Sequence, residues 1–325
     1  MTIQLETQHL DSVLEKHGQD MTGKVVAITG TTSGTGYICA REVAKKGAAI
    51  ILLNRPSQRS AEALAKLQEE VPKGKFEAVD CDLQNFASVQ EAMDAIRSKY
   101  DKIDALVNNA GVMALNDQAT GDGYDVQIQT NVLSHFLITK ELFPLLKAGN
   151  GGRIINHSSM ARLGGPLEMK YFEKNGGNLG GDGTDEENNN FQGPRWERYH
   201  QTKLANAVFT YGLKQKLEEA GSDQVRVLLA HPGFAITNLQ LTTAENGGME
   251  MRSEFKDMAQ SAEDGATGII RATLDPEAQS GDFFGPESGW KGFPVHLEPE
   301  DFLSSEDNIQ VLWEGSEKAV GTFAF

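Results

Sequence analysis

The fold of this chain is decided by residues 24–36, which read KVVAITGTTSGTG. The first part, Lys24 to Thr29, is a continuous apolar run typical of a strand that is covered on both faces. It leads into a glycine-rich turn of spacing GxxxGxG and then into a predicted helix, Tyr37 to Lys46. A strand, a glycine turn and a helix N-terminus form an anion site, because the backbone amides and the helix dipole face the charge.

The alternation of strands and helices continues along the chain. The predicted strands are Lys24–Thr29, Ala48–Leu53, Lys75–Val79, Ile103–Val107, Arg153–His157, Val225–Ala230 and a last one that includes Asp282–Phe284. Predicted helices over about 57–71, 86–100, 115–147 and 199–219 separate them, and a closing helix covers about 311–318. This rhythm indicates an α/β fold with a doubly wound parallel sheet of Rossmann type, in which ligands bind beyond the carboxyl ends of the strands.

A tyrosine and a lysine share one face of the predicted helix that begins near Tyr199. Tyr199 and Lys203 are four residues apart, so both side chains can address one point. A phenol titrates near pH 10, and a fixed cation nearby lowers its pKa toward the range of a useful general acid/base. A lone YxxxK is more often a chance pair on a solvated helix, so the pair gains meaning only from its companions.

Composition excludes several classes of protein. The 325 residues include 30 Lys and Arg against 46 Asp and Glu, which gives a net charge of −16. Such an acidic chain is unsuited to nucleic acid or to an anionic membrane surface, and no apolar run approaches the length of a membrane span. Cys39 and Cys81 have the spacing of neither a disulfide framework nor a zinc site. These features predict a cytoplasmic protein with no nucleic-acid partner, no membrane span and no metal.

Three motifs in order, TGxxxGxG from Thr29, NNAG over 108–111 and YxxxK from Tyr199, resemble the short-chain dehydrogenase/reductase family. The resemblance runs from about residue 23 to the C-terminus. The leader, Arg55, the stretch YHQTKLAN over 199–206 and the tail LWEGSE over 312–317 are similar to the retinol-dehydrogenase-like and WW-domain-oxidoreductase-like branch. An NADP-binding domain over 23–325, preceded by a packed leader over 1–22, is therefore expected.

The resemblance also implies roles for individual residues. Tyr199 would act as the general acid/base, Lys203 would lower its pKa, Ser159 would hold the substrate oxygen, and Asn131 would anchor a water in a proton relay. The implied cofactor contacts are Gly30, Ser33, Gly34, Gly36, Asp82, Leu83, Asn109, Ala110, Gly111, Tyr199, Lys203, Pro232, Gly233, Ala235 and Thr237. A rival Ser/His hydrolase built on His157 is disfavoured, because neighbouring strand residues point to opposite faces and the GxSxG elbow is missing. His135, His200 and His231 are interpreted as structural or exposed.

The tip of the second strand bears on the choice of cofactor. An acid at this point binds the ribose 2′-hydroxyl, whereas an arginine suits a 2′-phosphate. The sequence here is Asn54-Arg55-Pro56, so the acid is missing. Arg55 therefore predicts NADP(H), although an arginine in a loop can also be merely solvated.

An insertion separates Ser159 from Tyr199, which lie 40 positions apart where compact members of the family need about a dozen. The inserted segment, about 164–198, contains a glycine- and asparagine-rich run and is either an ordered lid or a mobile loop. Its flanks carry five side chains that could roof a substrate pocket, namely Met169, Tyr171, Phe172, Phe191 and Trp196. Together with the segment at about 238–263, it is expected to shape the substrate cleft. Because the insertion enters at the start of the helix over about 199–219, it is also expected to cover the face of that helix through which many relatives pair, leaving a monomer or at most a dimer.

The motifs together predict an NADP(H)-dependent oxidoreductase that interconverts an alcohol and an aldehyde or ketone, with a small and apolar substrate. Two alternatives remain: a nucleotide-sugar epimerase or dehydratase of the extended branch, and a cofactor-binding regulator that is catalytically weak. The GxxxGxG spacing and the NNAG segment argue against the epimerase. Asn131, Ser159, Tyr199 and Lys203 together argue against the regulator.

Overall fold

One eight-stranded sheet forms the centre of the computed structural model, which describes residues 5–149, 151–182, 191–250 and 255–325. The strands lie in the order β3-β2-β1-β4-β5-β6-β7-β8. Their bounds are Val25–Thr29 (β1), Ala49–Asn54 (β2), Lys75–Asp80 (β3), Ala105–Asn108 (β4), Arg153–His157 (β5), Arg226–Ala230 (β6), Phe283–Pro286 (β7) and Pro294–His296 (β8). Seven strands are parallel and β8 pairs antiparallel with β7. The predicted doubly wound parallel sheet is thus confirmed.

Helices cover both faces of the sheet. They are Leu10–His17 (α1), Gly34–Lys45 (α2), Gln58–Glu70 (α3), Phe86–Lys99 (α4), Val126–Ile128 (α5), Ser134–Ala148 (α6), Pro194–Glu219 (α7), Asn238–Glu245 (α8), Phe255–Met258 (α9), Ala262–Leu274 (α10) and Glu306–Val320 (α11). A π-helical turn, Gln129–Leu133, joins α5 to α6.

The sheet separates two apolar cores because alternate residues of each buried strand point to opposite faces. On β1, Ala27 packs into the core beneath α4, α6, α7 and α11, whereas Val26 and Ile28 pack into the core beneath α1, α2 and α10. The helix of the leader, α1, lies against α10, and the Asp264 carboxylate accepts hydrogen bonds from the backbone amides of residues 8 and 9 at 2.8–3.1 Å.

Several elements differ from the sequence prediction. The helix predicted over about 115–147 begins only at Val126, and α10 is absent from the prediction. Helix α7 begins at Pro194, one turn and a half before Tyr199, because proline suits the first helical position and the new turn buries Arg195 and Trp196. The short antiparallel strand β8 is also missing from the prediction. It spans three residues and is defined only by its pairing with β7, so no local pattern identifies it.

The C-terminal helix and tail cover α6 and α7. Phe323 is almost fully buried, and its ring lies 5.5 Å from Phe136 and 5.5 Å from Phe143 of α6. Trp313 of α11 lies 5.2 Å from Phe136 and 6.0 Å from Phe209 of α7. The cover over these helices is therefore α11 and the tail.

Replacing Phe323 by alanine is expected to destabilise the fold by about 3 kcal/mol, because it opens a cavity against Phe136 and Phe143. Urea unfolding of the purified variant measures the loss. Phe325→Ala is the matched control, since Phe325 stacks on Phe323 but is only half-buried, and a loss of roughly 1 kcal/mol is expected there. Equal losses in the two variants would contradict this account of the tail.

Candidate active site

A cleft of about 600 Å³ opens at the carboxyl ends of the central strands. The predicted site residues that line it are Gly30, Ser33, Gly34, Arg55, Asp82, Leu83, Asn109, Ala110, Gly111, Ser159, Tyr199, Lys203, Pro232, Gly233, Ala235 and Thr237. Gly36 and Asn131 lie behind its surface. Residues from seven separate parts of the chain therefore meet at one edge of the sheet, as expected for a doubly wound fold.

The glycine turn is shaped for close approach of a ligand. Gly30 and Gly34 have φ angles of +72° and +59°, a backbone region that favours glycine. At Gly36 a β-carbon would lie only 2.4 Å from the carbonyl oxygen of Gly30, so this glycine serves packing between helix and turn. The Asn109 carboxamide holds the turn, because its oxygen accepts a hydrogen bond from the Thr35 hydroxyl at 2.9 Å.

The tip of β2 carries no carboxylate toward the cleft. Asn54 is buried and turned inward: its amide oxygen accepts from the backbone amide of Thr31, and its amide nitrogen donates to the Thr31 hydroxyl, both at 2.8 Å. Arg55 beside it is exposed and lines the cleft. Arg59, one turn into α3, also lines the cleft and donates to the Ser33 hydroxyl of the glycine turn. Two guanidinium groups therefore flank this end of the cleft.

Tyr199, Lys203 and Ser159 meet at the other end. The Lys203 ammonium lies 5.8 Å from the centre of the Tyr199 ring and donates to the backbone carbonyl of His157 at 3.1 Å. Burial raises the pKa of Tyr199, and a hydrogen bond from Ser159 opposes that rise. Burial also lowers the pKa of Lys203 to about 8. The loss of water around the phenol therefore dominates the pKa of Tyr199, and the expected lowering by Lys203 is not among the effects that set it.

Asn131 lies in the π-helical turn, which widens the helix at this residue. Its side chain donates to the carbonyl of Val112 at 2.9 Å and to the hydroxyl of Thr202 at 3.0 Å. Its own backbone carbonyl accepts from the Asn206 amide at 2.7 Å and from the His135 ring at 3.0 Å. Asn131 therefore joins the helix before β5 to the catalytic helix, and its contact with a relay water stays a prediction.

The added first turn of α7 forms the apolar side of the cleft. Trp196 is almost fully buried, packs edge-to-face on Tyr199 at 5.8 Å and donates from its indole nitrogen to the carbonyl of Gly248 at 2.8 Å. Arg195, fully buried, donates to the carbonyls of Asn246 at 2.9 Å and of Gly181 at 3.2 Å. This turn thus fixes the loop after α8 and the middle of the insertion, at Gly181, against α7.

Only part of the predicted pocket roof is correct. Phe191 and Trp196 line the cleft, but Met169, Tyr171 and Phe172 do not. Those three residues pack into the core under α11, where a β-carbon on Gly315 would lie 2.6 Å from Phe172. They turn away because a short 3₁₀ helix, Met169–Phe172, presents its aromatic side to α11. Residues 183–190 of the insertion and 251–254 of the second cleft segment lie outside the described residues.

The sequence prediction missed several side chains of the cleft wall, among them His157 and Trp290. The buried His157 lines the cleft and its Nδ1 lies 3.0 Å from the Asn109 oxygen, while burial holds its pKa well below the usual value. Trp290, 42% exposed, lies at the cleft mouth on the loop between β7 and β8, and its carbonyl accepts from the Phe234 amide at 2.7 Å. No local pattern marks Trp290, because its place depends on the pairing of β7 and β8.

Comparisons with known proteins agree with this geometry. Residues 24–171 match a family model described as short chain dehydrogenase. An uncharacterised oxidoreductase of Schizosaccharomyces pombe is 34% identical over 226 residues, covering 68% of this chain and 62% of that protein. Human retinol dehydrogenase 13 is 33% identical over 228 residues, covering 69% of this chain and 63% of that protein. The match thus spans about three fifths of the length of these relatives.

Solved structures share the fold. A crystal structure of an uncharacterised protein from Mycobacterium paratuberculosis is 28% identical and covers 98% of this chain and 100% of its own, with a TM-score of 0.74. A candidate short chain dehydrogenase from Escherichia coli, complexed with NADPH, covers 82% of this chain and 98% of its own at 21% identity, with a TM-score of 0.60. Every helix within the described ranges is too short or too polar to span a lipid bilayer.

Proposed function

Because this chain belongs to the short-chain dehydrogenase/reductase family and to its retinol-dehydrogenase-like branch, we propose that it is an NADP(H)-dependent oxidoreductase that interconverts an alcohol and an aldehyde or ketone. One observation carries the proposal. A single cleft brings the glycine turn, two arginines and the Ser159, Tyr199 and Lys203 side chains together. An anion site at one end and a proton donor at the other are the two parts that such a reaction requires.

The residues of the cleft fit a nicotinamide cofactor. The turn around Gly30 and Gly34 and the N-terminus of α2, which has no acidic residue in its first turn, would hold the pyrophosphate. Arg55 and Arg59 would hold a 2′-phosphate, since a guanidinium offers a planar fork of donors. Backbone near Ala235 and the Thr237 hydroxyl would hold the carboxamide, both of them on the cleft wall.

Each catalytic side chain then has a separate task. A bound nicotinamide supplies or takes up the hydride. Ser159 holds the carbonyl oxygen of the substrate, and Tyr199 gives that oxygen its proton in reduction or removes it in oxidation. The raised pKa keeps Tyr199 in the phenol form that reduction requires. Lys203, whose pKa of about 8 leaves it mainly charged at pH 7, stabilises the phenolate that forms and orients the cofactor ribose.

The substrate is neutral and largely apolar. The wall beside Tyr199 consists of Met113, Trp196, Met249 and the half-buried Leu239, which form one apolar cluster with the tyrosine ring. Among the described lining residues, the charged side chains are Arg55, Arg59, Asp82 and Lys203, all assigned to the cofactor or the proton transfer. An anionic or cationic substrate would find no partner on this wall, and burial of an unpaired charge is costly.

Tyr199→Phe is expected to lower kcat by about 10²–10⁴-fold, because the ring still packs but the transferable proton is gone. Steady-state kinetics on a panel of apolar aldehydes and ketones measure the loss, and fluorescence titration with NADPH checks that the cofactor still binds. Tyr171→Phe is the matched control, since Tyr171 is buried outside the cleft. A Tyr199→Phe enzyme that keeps its kcat would contradict the proposed proton transfer by Tyr199. A wild type that binds NADPH but turns over no carbonyl would favour the regulator.

NADPH is expected to be used about tenfold or more better than NADH, since one charge-assisted hydrogen bond to a phosphate contributes about 1.5 kcal/mol or more. Arg55→Ala and Arg59→Ala should each reduce this ratio of kcat/KM values, and the double variant should nearly abolish it. Arg41→Ala is the control, because Arg41 pairs with Glu42 and Glu70 away from the cleft. Equal use of both cofactors by the wild type would contradict the assignment.

The protein is a monomer in this proposal. The faces of α6 and α7 through which many relatives pair are already occupied by α11 and the tail, with Ile309 in close contact at Gly212. Light scattering at several concentrations is expected to give the mass of one chain, 35.4 kDa. A stable dimer or tetramer would show that another surface mediates assembly.

A further inference from the structure

A buried arginine braces the turn that carries Ser159. Arg162 is the last residue of the 3₁₀ turn that follows Ser159, and its side chain is only 5% exposed. Its guanidinium Nη1 donates to the backbone carbonyl of Ser159 at 3.2 Å, and its backbone amide donates to the same carbonyl at 3.1 Å. The Ser159 hydroxyl in turn accepts from the Ala161 amide at 3.2 Å. The serine is therefore held at both its carbonyl and its hydroxyl.

Glu300 fixes the direction of this guanidinium. Its carboxylate accepts from Arg162 Nε at 3.1 Å and from Nη2 at 2.6 Å, a two-point pairing that sets the plane of the group. The guanidinium carbon also lies 4.7 Å from the centre of the buried Phe283 ring. Nε and Nη2 of Arg162 are thus paired with Glu300, and one face of the guanidinium is covered by Phe283. This orientation directs Nη1 at the Ser159 carbonyl.

We propose that Arg162, oriented by Glu300, is a positioning residue that holds Ser159 in register with Tyr199 for the proton-transfer step. The proposal rests on the proposed function, because it assigns to Ser159 the substrate oxygen. Ser159 and Tyr199 line the same cleft, so a shift of the turn moves the serine relative to both phenol and substrate. Reactions that depend on this alignment lose up to about 10²-fold when a group moves by 1 Å.

Arg162→Lys tests the brace, because lysine keeps the charge but cannot bind a carboxylate and a carbonyl together in one plane. The expected result is a kcat lower by about tenfold or more, with the Kd for NADPH changed by less than about twofold. Glu300→Gln should also lower kcat, but by less. Because this variant keeps the buried Arg162, it still tests the proposal if Arg162→Lys folds poorly. Unchanged kcat in both variants would overturn the proposal.

The chain offers a closely matched control. Arg271 lies 4.6 Å over the ring of Phe284, pairs with Asp275 at 3.1 Å and donates to the carbonyl of Pro294 at 2.7 Å. Phe283 and Phe284 are neighbours on β7 but pack into the two separate cores, so Arg271 repeats the arrangement on the other face of the sheet. Arg271→Lys should therefore leave kcat within about twofold of the wild type even if it lowers stability. A comparable loss of kcat in Arg271→Lys would show that the loss in Arg162→Lys comes from general destabilisation of the fold.

A double-mutant cycle separates positioning from an independent role. If Arg162 acts through Ser159, Arg162→Lys should change kcat by less than about twofold in a Ser159→Ala background. A loss in that background as large as in the wild type would overturn the proposal. A wild type without carbonyl turnover would instead contradict the proposed function. In that case a crystal structure of Arg162→Lys tests whether Arg162 positions Ser159. Displacement of the Ser159 carbonyl by about 0.5 Å or more supports the proposal, and an unmoved carbonyl refutes it.

Discussion

The catalytic end of the cleft depends on how α7 is fastened to the end of β5. The Ser158 hydroxyl donates to the carbonyl of Lys203 at 2.6 Å, and the Lys203 ammonium returns a hydrogen bond to the carbonyl of His157 at 3.1 Å. Further along, the Asn156 amide donates to the Thr210 hydroxyl at 3.0 Å. These bonds set the rotation of α7 about its axis. That rotation directs Tyr199 toward the cleft and the opposite face of α7 toward the core. The polar contacts between the buried side of α7 and the end of β5 therefore set the position of the Tyr199 phenol.

Burial has opposite effects on the two ionisable groups that this arrangement brings together. It raises the pKa of the Tyr199 phenol and lowers the pKa of the Lys203 ammonium to about 8, because the charged form of each group loses hydration. Both shifts favour the neutral forms, a phenol at Tyr199 and an amine at Lys203. The lysine stays mostly charged at pH 7 because its pKa starts high, and the phenol stays protonated. A phenol in this state can donate a proton, as the proposed reduction requires.

The substrate side of the cleft is built on long-range contacts. Arg195 and Trp196, on the extra first turn of α7, bind the carbonyls of Asn246 and Gly248 and so close one wall. The buried ion pair of Arg198 with Asp125, at 2.6 Å, anchors the same turn to the start of α5. Removing one member of such a pair costs about 3–5 kcal/mol, because the other charge is left buried and unpaired. The apolar lining of this wall fits the apolar substrate proposed above.

The sequence by itself determined the class of sheet and predicted the glycine turn and the pair Tyr199 and Lys203, because these depend on local periodicity and on short motifs with fixed spacing. Ser159 was predicted through the resemblance to the family. It also identified Arg55 at the tip of the second strand. Only the tertiary structure placed Arg59 at the glycine turn, Trp290 at the cleft mouth and Arg162 behind Ser159, and only it turned Tyr171 and Phe172 into the core under α11. It also showed that burial dominates the tyrosine pKa. The physical reason is the same for each: contacts between residues far apart in the chain, and the exclusion of water they cause, leave no mark on local sequence pattern.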